Sequence, residues 1–109
     1  MKVLIDGINE FHSENVRLVK TLMKRETPEE FPEIMKWALQ MLYFHENEWI
    51  EICRIDNYHH ENQDGSHIHM YKRDEVKRIK MDFKEAEKAI KEISERILKE
   101  KFHEVIKFD

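Results

Sequence analysis

At 109 residues the chain has room for one domain and one core, and a chain of this size typically buries roughly two-thirds of its extended surface on folding. Hydrophobic residues supply 40% and charged residues 39%, with 2 Gly and 2 Pro, which excludes collagen-like, linker-like and low-complexity classes. The net charge of -4 is a poor balance for a general nucleic-acid binder, and a lone Cys53 excludes an internal disulfide and a cysteine-based zinc site.

In chain order, Val3-Leu4-Ile5 is too short an apolar run for a signal peptide, and no stretch of about 18 apolar residues occurs. The expectation is a soluble cytoplasmic protein without a membrane partner. Residues 16–25 favour a strand, and Thr27-Pro28-Glu29-Glu30 can cap one helical turn that Pro32 then stops. Lys36 to His45 and Trp49 to Ile55 are rich in aromatic and apolar residues and read as two strands joined by Glu46-Asn47-Glu48. A helix over 32–43 competes, because Ile34, Trp37, Met41 and Leu42 also fit the helical period. A polar loop, 57–66, leads to an alternating strand, His67 to Lys72, and Arg73-Asp74-Glu75 turns it into a partner, Val76 to Met81.

The last element is the clearest. Asp82 with Glu85 three residues later makes a capping box, and Phe83, Ala86, Ile90, Ile93 and Ile97 recur as an apolar stripe, predicting a helix over about 82–101. The whole reads as one α+β domain: an antiparallel β-meander of four to five strands with the C-terminal helix packed on one face.

Charge is unevenly spread. Residues 26–64 carry two basic side chains against ten acidic ones, whereas 72–101 carry eleven against eight, including Lys72, Arg73, Lys77, Arg78 and Lys80. Such a local basic surface suits a phosphate backbone, or it is simply a solvated face. Seventeen Glu and thirteen Lys against two Gln is a balance common in hyperthermophiles.

Four of the seven histidines, His59, His60, His67 and His69, fall within eleven residues. On a strand His67, His69 and Tyr71 share one face, with Ile68 and Met70 on the core side. Arg54 and Asp56 share a face by the same parity, so neighbouring strands would bring all four side chains together. Three readings follow. The cluster is an acid–base site, with a histidine pair as base and acid, Arg54 steadying developing negative charge, and Tyr58 or Tyr71 stacking a base, a combination suited to metal-independent RNA cleavage. Alternatively His67 and His69 are a metal-ligand pair for zinc or a similar divalent ion, completed by His59, His60 or Asp56. In the third reading the histidines are ordinary surface residues and Arg54–Asp56 is a simple ion pair. His12, His45 and His103 read as ordinary surface residues.

Cys53-Arg54-Ile55-Asp56-Asn57-Tyr58-His59 followed by His67-Ile68-His69 and a charged C-terminal helix resembles the small prokaryotic TumE-like proteins, over about residues 36–100. The resemblance implies a toxin of a toxin–antitoxin pair, with RNA-directed or translation-blocking activity and an antitoxin protein as partner. On that reading Arg54, Asp56, His59, His67 and His69 form the site. His67 or His69 is the base, His59 the acid, Arg54 the charge stabiliser, and Asp56 orients a histidine. The alternative from another class is a non-enzymatic module that docks a partner protein through its sheet edge or acidic stretch.

Overall fold

The computed structural model describes residues 1–58, 65–73 and 76–108. Six strands, β1 (Lys2–Ser13), β2 (Val16–Lys24), β3 (Met35–His45), β4 (Glu48–Asp56), β5 (Ser66–Met70) and β6 (Val76–Ile79), precede one helix, α1 (Phe83–Phe102). The strands form a single antiparallel meander in the order β1-β2-β3-β4-β5-β6. The architecture is α+β with a C-terminal helix on one face of the sheet, as the pattern predicts, but with six strands in place of four or five.

The extra strand is β1. Its register with β2 shifts between Val3 and Ile5, between Ile5 and Ile8, and again near Ser13. Those bulges, with Gly7 at φ 60°, break the alternation that identifies a strand. Thr27–Glu30 is a turn closed by the Glu30 N–H on the Thr27 carbonyl at 3.2 Å, not a helical turn.

The β3–β4 hairpin turns on Glu46 and Asn47 alone, at φ 50° and 67°. Both central residues sit in the left-handed region, as a type I′ turn requires, and asparagine tolerates it well. This turn fixes the register of the two central strands. Across β2–β5 the inward row includes Val16, Leu18, Leu39, Met41, Cys53, Ile55 and Ile68, all buried under or beside α1.

The capping box forms: the Glu85 N–H donates to Asp82 Oδ1 at 2.8 Å and the Asp82 N–H donates to Glu85 Oε1 at 3.2 Å. The buried row of α1 is Ala86, Ile90, Ser94 and Leu98. Ile93 and Ile97, expected in the core stripe, are only partly buried and lie on the flank of the helix. The axis of contact is rotated because α1 crosses β3 and β4 rather than the middle of β4–β6. A satellite network holds β1 to the helix. Lys20 Nζ lies 2.7 Å from Glu10 Oε2 and 3.0 Å from Glu87 Oε2, and His12 Nε2 approaches Glu10 Oε1 at 2.8 Å. His12 is therefore a structural residue, not an ordinary surface one. No described helix is long and apolar enough to cross a membrane.

Candidate functional site

Strict alternation along β4 would put Arg54 and Asp56 on the same side as Ile50 and Ile52, under the helix. A register shift removes the conflict: Leu42 pairs with Glu51 but Met41 pairs with Cys53, leaving Ile52 as the extra residue of a bulge. Ile52 and Cys53 are then both buried, while Arg54 and Asp56 emerge beside Trp49 and Glu51 on the face away from α1.

The pairing of β4 with β5 completes the arrangement. Arg54 stands opposite His69 and Asp56 opposite His67. Spacing groups His67 with His69 and Arg54 with Asp56; the bulge in β4 and the β4–β5 register bring the two groups together. His67 Nδ1 lies 3.7 Å from Asp56 Oδ1, and Arg54 Nε lies 3.7 Å from Asp56 Oδ2. The carboxylate is steadied from below by the Tyr58 N–H, which donates to Asp56 Oδ1 at 3.0 Å. Asp56 and His67 are buried, at 6% and 3% exposure, whereas Arg54 and His69 are partly exposed. Any soluble partner therefore meets Arg54 and His69, with Asp56 and His67 behind them.

Burial lowers the pKa of His69, and the Arg54 guanidinium lowers it further, so at neutral pH the ring is neutral and has a lone pair to offer. Cys53 is on the other face; burial first, then the Glu51 charge, pushes its thiol up to about 12, so it is no nucleophile.

Three further residues join the site that sequence spacing did not select. Gln40 pairs with Arg54 across β3–β4, and its Nε2 donates to Glu51 Oε2 at 2.6 Å, with Arg54 Nη1 at 3.9 Å from the same oxygen. Glu51 thus aligns Arg54. Arg78 of β6 stands opposite His67 and adds a second cation. The signal for it lay in the alternation of β6, readable only once the pairing was known. Asn57 has a structural role: it accepts from the Trp37 N–H at 2.8 Å and donates to the Met35 carbonyl at 2.8 Å and to Glu33 Oε2 at 2.7 Å.

One expectation changes. Tyr71 leaves the strand in a turn, and its ring packs 5.1 Å from Phe102 of α1, so it does not share the face of His67 and His69. Tyr58 stays near the site, with Lys36 Nζ 4.5 Å over its ring. His59 and His60, the acid and the further metal ligands of the sequence reading, lie outside the described residues. Among the described residues no three His, Cys, Asp or Glu side chains stand together in a set that could hold a metal ion.

The same open face continues away from the cluster into an aromatic end. Trp49 stacks under Arg17, whose Cζ is 4.3 Å from the ring centre, and touches Phe44 at 5.2 Å and Phe11 at 6.3 Å. Phe11 is 58% exposed and Phe44 38%.

No curated protein and no solved structure matches the chain. Residues 16–109, everything from β2 onward, match the family described as Domain of unknown function (DUF7718), and the chain belongs to that family.

Proposed function

We propose that this protein is a toxin-type domain that targets RNA, TumE-like in kind, and that the Arg54/Asp56/His67/His69 array is its site. The observation that carries the reading is the cross-strand square in which a neutral, accessible histidine adjoins a guanidinium and a buried Asp–His pair. In metal-independent RNA cleavage a base takes the proton of the 2′-hydroxyl, whose oxygen attacks the adjacent phosphorus, and an acid protonates the departing 5′-oxygen. His69 suits the base. Arg54 faces the charge that develops on the phosphorane oxygens, and Asp56 orients His67 behind it. The acid role rests with His59 on sequence grounds alone. The aromatic end of the same face, with Arg17, offers stacking surface to unpaired bases, which supports RNA over a folded protein as the target.

Expression in a bacterial host tests this reading. The wild type should arrest growth, and His69→Ala and Arg54→Ala, folded by circular dichroism, should relieve the arrest. Equal behaviour of all three proteins would remove the array as the seat of activity.

A second reading has its own observation. The edge strand β1 is 12 residues long and leaves Val3, Leu4, Ile8 and Phe11 exposed, a surface on which a partner such as an antitoxin protein could add a strand. A non-enzymatic binding module would use that edge and would be indifferent to His69.

A further inference from the structure

A wedge of about 240 Å³ opens between α1 and the β5–β6 edge, on the helix side of the sheet. Its floor is apolar: Ile68 and Met70 from β5, Ile79 from β6, and Ile93 and Ile97 from the flank of α1. The wedge exists because α1 lies over β3 and β4, so that among the described residues β6 and the outer side of β5 are only partly covered. Ile79 is 48% exposed as a result, and Ile93 and Ile97 stay half-buried. The rim has the opposite character. Arg73, Lys77, Arg96 and Lys101 surround the opening, with Glu100 as the one carboxylate among the described lining residues.

We infer that this wedge binds a small amphiphilic carboxylate, a medium-length acyl chain whose apolar tail lies on the isoleucine floor and whose carboxylate meets the cationic rim. Charge complementarity selects an anion over a neutral or cationic amphiphile, because three surplus cations border one apolar opening. Size selects a small molecule over a partner helix. At about 240 Å³ the wedge is smaller than the roughly 300–1,000 Å³ typical of drug-sized ligand sites, which suits a short acyl tail. Burying that tail together with the exposed isoleucine surface is the driving force, and the charged rim sets orientation. The inference is independent of the RNA reading, since Ile68 points to the wedge while His67 and His69 occupy the other face.

Octanoate titrated into the full chain, with the isoleucine methyl signals followed by NMR, tests it. Saturating shifts should appear at Ile68, Ile79, Ile93 and Ile97, with a dissociation constant of about 1 mM or tighter for a ligand of this size. Arg96→Glu and Lys77→Glu, both at exposed positions, should each weaken binding roughly fivefold or more while the spectrum stays dispersed. Octylammonium, with the same tail and the opposite charge, should give no saturation in that range. Absence of saturation by octanoate, equal binding of octylammonium, or octanoate affinity untouched by both variants would each overturn the inference. So would self-association that protects these methyls and that Arg96→Glu dissolves, since the face would then belong to a second copy.

Discussion

His69 carries the proposed chemistry, and its surroundings predict how it titrates. Burial is the larger cause of its lowered pKa and the Arg54 charge the next, with Asp56 and Glu51 pulling the other way. NMR titration of the ring should give a midpoint below the ordinary value of about 6.5, and Arg54→Ala should raise it. Because the folded ring binds its proton less tightly than the unfolded one, the unfolded state gains protons first as pH falls. Stability should therefore drop as pH is lowered through the ordinary histidine range, and His69→Asn should flatten that part of the curve. A midpoint at or above the ordinary value, unmoved by Arg54→Ala, would contradict this environment. At this scale the cluster was readable: residues two apart on a strand share a face, so His67 with His69 and Arg54 with Asp56 follow from spacing. The bulge at Ile52 was not, because Ile50-Glu51-Ile52 sets one phase and only pairing with Met41 and Leu42 shows that it changes before Arg54. Tyr71 was misplaced for a related reason, since alternation ends where the strand does.

Among the elements, α1 shows how far a hydrophobic period can be trusted. The capping box and length were legible because they are local, whereas the rotation of the helix on the sheet depends on which strands lie beneath it. Ile90 and Leu98 are fully buried, and Ile97 is not. Ile90→Ala should therefore cost about 2–5 kcal/mol in a urea titration, and Ile97→Ala distinctly less, about 1 kcal/mol. Equal costs would show that the helix sits on its Ile93/Ile97 side after all. The first strand was illegible for the opposite reason. Its bulges at Val3–Ile5 and Ile5–Ile8 put three apolar residues in a row and then none in step, so no period survives. Bulges of this kind also twist a sheet edge and discourage indiscriminate pairing, which tempers the exposure of Val3, Leu4 and Ile8.

For the molecule as a whole, the six strands and one helix of the described residues leave one sheet face covered over its central strands and the other open. The net charge of -4 does not describe the open face, where Arg54 is matched by Glu51 and Asp56 and Arg17 and Arg78 add two further cations. On the proposed reading, RNA would meet a mixed-charge, aromatic surface with a histidine in reach. The most direct measurement is the fate of single-stranded RNA incubated with the purified protein in the presence of a chelator. Cleavage should proceed without metal, leave 2′,3′-cyclic phosphate ends, and fall about 100-fold or more in folded His69→Ala and Arg54→Ala. RNA that stays intact with the wild type, or that is cut equally by all three proteins, would contradict the account.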